Sequence, residues 1–209
     1  MDRKSQIINE VLSAVSHGIG VGLSIAGLVF LIIKGVASNS GQALFAYLVY
    51  GISLLGLYSF SMLFHSLYFT RARRLFQIFD HCGIFLLIAG TYTPYCLLAI
   101  KGSLGLGLLI IIWLLAIFGI IYHILAKKRL QWIETLTFVI MGWLCLVGAR
   151  PLAQALGSHG LTLLVFGGIV FTLGALVYSI KGVKYAHVYW HFFVMLGSLL
   201  MFFSIYYYI

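Results

Sequence analysis

Seven runs of mostly apolar residues, each ended by a short polar or charged break, dominate this chain. A helix rising ~1.5 Å per residue needs ~20 such residues to cross the hydrocarbon core of a bilayer. Read between the breaks, the runs fall at 14–34, 42–67, 77–100, 104–124, 132–149, 161–180 and 185–208. Lipid offers no partner to a bare peptide N–H or C=O, so each run is expected as a helix that satisfies its own backbone. Breaks this short make successive helices antiparallel neighbours and leave no room for a soluble domain. The expected fold is an all-α integral membrane bundle of seven transmembrane helices, with residues 1–209 forming one domain.

Composition agrees. Hydrophobic residues make up 63% of the 209 and charged residues 8%, against ~25% charged in ordinary soluble domains. The formal charge of +9 raises the possibility of nucleic acid as a partner. That reading is excluded because the basic residues form no face or tail; they are scattered in short loops, where anionic lipid headgroups select them. Cys82, Cys96 and Cys145 are odd in number, lack metal-type spacing and lie in or near apolar runs, so no disulfide framework is expected. The first apolar run is longer than the ~7–15-residue core of a cleavable signal and is expected to stay attached.

Basic residues also set the direction. Arg3 and Lys4, then Arg71, Arg73 and Arg74, then Lys127, Lys128 and Arg129, then Lys181 and Lys184 fall on one side of the alternation. Lys34, Lys101 and Arg150 fall on the other. Ten against three places the N-terminus in the cytoplasm and the C-terminus outside, and an even number of spans would break the pattern.

Ionisable groups inside a membrane are costly and mark functional candidates. His65 ends the second run, Asp80 opens the third, and His187 and His191 open the seventh. Counting from Arg71, Arg74 and Lys184 at helical rise, His65, Asp80 and His191 each lie roughly 9–10 Å below the cytoplasmic basic loops. His187 and His191 are four apart and stack on one helix face, as do Ser61 and His65. Three neutral imidazoles with one open position form a catalytic type of zinc site, and a neighbouring carboxylate can ligate, orient a ligand or hold a water. The other polar residues read as structural. His17 is expected to be packing or interfacial. His81 should point ~100° away from Asp80, and His123 suits a helix C-terminus. Glu10 and Glu134 are expected to be solvated or loop-paired. Gly18 and Gly22 form a GxxxG packing spacing, and Pro94 should kink the third helix near its outer end.

FDHCGIFLLIAGTYTPY in the third run strongly resembles a motif of the hemolysin III proteins, the bacterial branch of the progestin and adipoQ receptor family. Ser61 with His65, the His187–His191 pair followed by FFVMLGS, and SHGIG in the first run match further motifs in the family's order, across almost the entire chain. The resemblance implies a seven-helix bacterial cell-membrane protein with zinc held near the cytoplasmic face by His65, His187 and His191. It implies that Asp80 engages the ion or its water, and that Ser61 sits beside that water. Without the N-terminal region of the family's eukaryotic receptors, hormone reception is not expected. The related alkaline ceramidases extend the comparison to metal-dependent hydrolases.

The expected activity is therefore zinc-dependent hydrolysis of lipid amide or ester bonds at the cytoplasmic interface. Membrane lipids are the partners, and an acyl chain could enter the bundle. Asp80 would take a proton or hold the water, and Ser61 would hydrogen-bond the developing oxyanion. A non-enzymatic membrane sensor or regulator with structural zinc is the first alternative, and a cytolysin or transporter the second. The mid-span residues carry no charge, which ranks transport lowest.

Overall fold

A computed structural model of the protein describes residues 2–126, 131–180 and 182–209. Lys127, Lys128, Arg129 and Lys181, which the charge alternation uses, lie outside the described residues. The helices are α1 (Arg3–Ala37), α2 (Gly41–Ser66), α3 (Arg73–Pro94), α4 (Gly102–Leu125), α5 (Gln131–Trp143), α6 (Ala149–Ser179) and α7 (Ala186–Tyr208). Among the described residues, six helical stretches are long and apolar enough to cross a membrane. One of them is the 48-residue stretch Trp132–Ser179 that contains α5 and α6.

That stretch does not run straight. Gly157 has φ 62° and ψ −175°, a conformation only glycine adopts without strain. Trp143 Nε1 donates to Thr172 Oγ1 at 3.0 Å, whereas an unbroken helix would hold these residues ~43 Å apart. The chain therefore reverses between them, and the two limbs pack on each other. A second irregularity lies at Leu144–Gly148, where α5 tightens into a 3₁₀-helix. Tyr92 of α3 repairs the loosened backbone there. Its hydroxyl donates between the Met141 and Gly142 carbonyls (2.8 and 2.9 Å) and accepts the Cys145 N–H at 2.7 Å. Such repair is what allows broken helix inside a membrane protein. The disturbance expected at Pro94 takes the form of a π-helical turn, Tyr95–Ile100, closed by Lys101 N–H to the Cys96 carbonyl at 3.0 Å.

Contacts run from α1 to α2, α2 to α3, α3 to α4, α5 to α6, α6 to α7, and back from α7 to α1. The closing pair is parallel. Lys34 near the end of α1 donates to the Ile205 carbonyl at 3.3 Å and to that of Tyr206, at the end of α7. Ser13 and Ser16 meet His191 near the start of α7. Cationic Lys34 there caps the negative end of a helix dipole.

The inner face of α1 is a stripe of small and polar residues: Ser13, Ser16, His17, Gly20, Ser24 and Gly27 are buried. Ile19, Leu23, Val29 and Phe30 on its outer face are exposed, as lipid-facing side chains are. The packing glycine next to α2 is Gly20, where an added Cβ would lie 2.6–2.8 Å from the Tyr58 ring. The expected GxxxG pair serves less: among the described residues an added Cβ at Gly18 would approach Met62 alone, and one at Gly22 would meet nothing within 4 Å.

Candidate metal centre

The last turn of α2 and the first two turns of α7 meet against α1 at one end of the bundle. Here the nitrogens of His65, His187 and His191 all lie within 4.8 Å of one another. His65 Nε2 and His187 Nε2 are 3.0 Å apart, and the ring centroids are 4.7–4.9 Å apart. The matched depth expected from sequence is therefore a convergence.

The surroundings of the rings decide which nitrogens face inward. His65 Nδ1 is 2.7 Å from Glu10 Oε2. His191 Nδ1 is 3.2 Å from both the Ser13 carbonyl and Ser16 Oγ. The Ser16 hydroxyl gives its own proton to the Ser13 carbonyl at 3.0 Å, leaving a lone pair toward the ring. A carbonyl accepts and a carboxylate can accept, so both Nδ1 atoms are placed to donate, and in that neutral tautomer each ring presents Nε2 as its ligating atom. At 3.0 Å, His65 Nε2 and His187 Nε2 need a proton or a cation between them. Zinc bound tetrahedrally by imidazoles at ~2.0–2.1 Å would hold two such nitrogens ~3.3 Å apart. The observed spacing and the chemistry of the donors thus fit a metal ion.

Ser61 and Asp80 are buried and line one cavity with His187 and His191. Asp80 is not among the convergent ligand atoms. The Ser61 hydroxyl lies beside the Asp80 carboxylate without meeting hydrogen-bond geometry, and it has no other partner among the described residues.

Four sequence expectations need correction. Glu10 is buried and holds His65; it is neither solvated nor loop-paired. Glu134 is buried too, with its Oε1 2.7 Å from Nδ1 of His123, so His123 is a buried paired group rather than a helix-end charge. His81 lines the same cavity as Asp80, stacks on His123 at 4.8 Å and turns its Nδ1 to the Gln77 carbonyl at 2.9 Å. A cavity wall spans more than one residue's arc of helix, so the ~100° offset does not remove His81 from it. His17 is packed, as expected, but against the site: its ring stacks on His191 at 3.5 Å and 8°. Both its nitrogens lack partners among the described residues. A signal was available for Glu10 and His17, because they share a 3-4 spaced stripe with Ser13, Gly20 and Gly27 in an apolar helix.

Fold and site together define a multi-pass α-helical membrane protein with a largely buried three-histidine cluster able to hold a metal. The chain belongs to the haemolysin-III related family, whose profile matches residues 5–202, as the motifs implied. It is similar to Hemolysin-3 of Bacillus cereus, 44% identical over 210 residues, covering 100% of this chain and 96% of the relative. It is also similar to the Hemolysin-3 homolog of Bacillus subtilis, 41% identical over 202 residues, covering 97% of this chain and 95% of that one. A more distant likeness is to the human monocyte to macrophage differentiation factor, 27% identical over 167 residues, 77% of this chain and 69% of the relative.

Proposed function

We propose that this protein is a zinc-dependent hydrolase of lipid amide or ester bonds in the bacterial plasma membrane, crossing it seven times with its N-terminus in the cytoplasm. Parallel packing of α1 and α7 supports an odd number of crossings, and the reversal at Gly157 divides Trp132–Ser179 into two. The ten-to-three distribution of basic residues supports the orientation.

One observation carries the activity: the polar cluster and a long run of apolar residues line one cavity. From Ser61, Asp80, His187 and His191 the lining continues along α3 through Ile84, Leu87, Ile88 and Tyr92 to Tyr95, and reaches Leu152 and Met201. Asp80 to Tyr95 spans ~22 Å at helical rise, longer than one leaflet's ~15 Å of hydrocarbon. The cavity volume is about 150 Å³. A long, mostly apolar lining suits an acyl chain, with the chain's amide or ester at the polar end.

His65, His187 and His191 would hold the ion. Bound zinc supplies Lewis acidity, polarising a carbonyl and making water acidic enough to attack near neutral pH. Asp80 would accept the water proton on its carboxylate and return it to the leaving amine or alcohol as the C–N or C–O bond breaks. The Ser61 hydroxyl, with no hydrogen-bond partner among the described residues, donates to the carbonyl oxygen as charge develops there. The apolar wall excludes bulk water and aligns the chain.

The test is turnover of ester- and amide-linked lipids in vesicles, with and without chelator. Asp80→Asn should cut turnover ~10²-fold or more while zinc occupancy changes little. Absence of cleavage, with Asp80→Asn lowering zinc binding and thermal stability together, would transfer the site to a structural role in a membrane sensor.

A further inference from the structure

Glu10 is a carboxylate placed where apolar lipid surrounds the bundle, yet it is 6% exposed and 2.7 Å from the Nδ1 of a buried histidine. Burying a carboxylate is expensive unless it is paired, and among the described residues no Lys or Arg lies within salt-bridge distance of Glu10; its partner is the His65 ring. If His65 were merely packed, a neutral partner such as the Ser13 carbonyl that serves His191 would do the same work at lower cost. The carboxylate is better matched to a ring whose far nitrogen, Nε2, bears positive charge.

We propose that Glu10 is a positioning residue for the metal centre: it accepts the Nδ1–H of His65, holds the ring with Nε2 toward His187 and His191, and offsets part of the ion's charge. This rests on the reading of the three histidines as metal ligands. Three neutral imidazoles leave the full double charge of zinc uncompensated in a low-dielectric setting, and one carboxylate at the back of a ligand halves it. Outer partners of this kind fix ligand tautomer and raise ligand basicity, and their loss costs ~10–100-fold in metal affinity. Ser13 and Ser16 give His191 the same orientation without the charge. The first helix thus supplies no ligand but carries the support for two.

The experiment measures zinc affinity by chelator competition, and the d–d absorption of bound cobalt(II), on the full chain in detergent. Glu10→Gln keeps the shape and removes the charge; it should weaken zinc ~10–100-fold and alter the cobalt spectrum, while the melting temperature of metal-stripped protein changes little. In a His65→Ala background the same substitution should have no further effect on affinity, since Glu10 acts through that ring. Glu10→Asp, which keeps the charge with a shorter reach, should fall between and serves as the working variant if Glu10→Gln does not fold. Zinc affinity within twofold of wild type in Glu10→Gln, or in Glu10→Asp where that is the variant used, would overturn the proposal and leave the metal site standing. So would a lower melting temperature of the stripped protein with unchanged affinity. A wild-type chain that binds neither metal would overturn both.

Discussion

Replacing Gly20 with alanine tests whether α1 is held against the bundle as the structure describes. An alanine Cβ at this position would sit 2.6 Å from Tyr58 Cδ1 and 2.8 Å from Cε1 and Cγ, about 1 Å inside ordinary carbon contact. The ring has little freedom to yield, since Tyr58 is buried and its edge meets His17 at a centroid distance of 5.0 Å. Gly22→Ala is the internal control, two residues away on the same helix with nothing within 4 Å. Both substitutions gain the same helix propensity, up to ~1 kcal/mol, so their difference isolates the cost of overpacking, ~1–3 kcal/mol. At ~2–4 °C per kcal/mol for a chain of this size, Gly20→Ala should melt ~2–12 °C below Gly22→Ala. Tryptophan fluorescence during thermal unfolding in detergent measures this. Gly20 lies one turn beyond His17 and two beyond Ser13, so displacement of α1 should also weaken zinc, and the zinc content of each variant is read in parallel. Equal melting temperatures, or a higher one for Gly20→Ala, would refute the placement of α1 on Tyr58.

Elemental analysis of purified protein should find about one zinc per chain; His191→Ala should largely abolish it, and full occupancy in a His65, His187 and His191 triple alanine variant would remove the assignment. His81→Ala and His159→Ala should retain zinc, because His81 turns Nδ1 to its own backbone and His159 is exposed; loss at His81 comparable with that at His187 would place His81 among the ligands. Reporter fusions after Ile209 and within residues 125–130 should report opposite sides of the membrane, and a common side would refute seven crossings.

Helix positions were legible because in lipid they are a one-dimensional property: length and hydropathy along the chain decide them. Thus α2, Gly41–Ser66, and α7, Ala186–Tyr208, fall within one residue at each end of the runs read at 42–67 and 185–208. The three histidines were legible for a related reason. Once direction is known, helical rise converts sequence position into depth, and spacing by four converts it into a shared face. The start of α1 was not legible, since it begins at Arg3, eleven residues before the apolar run; Asp2 caps its first turn and only one face, with Ser5, Glu10 and Ser13, is buried. The reversal at Gly157 was placed only roughly, between runs ending at 149 and starting at 161. A glycine's positive φ is not encoded in hydropathy.

Sequence alone therefore determined the membrane setting, the family and the three residues that converge, all consequences of local pattern and depth. Only the tertiary structure decided what stands behind them. Glu10 and His65 are 55 positions apart, and Ser13 and His191 178 apart. Which of α1's polar groups turns inward depends on the rotation of that helix against α2 and α7. That rotation is set by the close approach at Gly20 and the cap at Lys34, contacts between surfaces that no single stretch of the chain contains. The same holds for the pairing of Glu134 with His123: a sequence shows distance from a loop but not what the neighbouring helix brings to cover it.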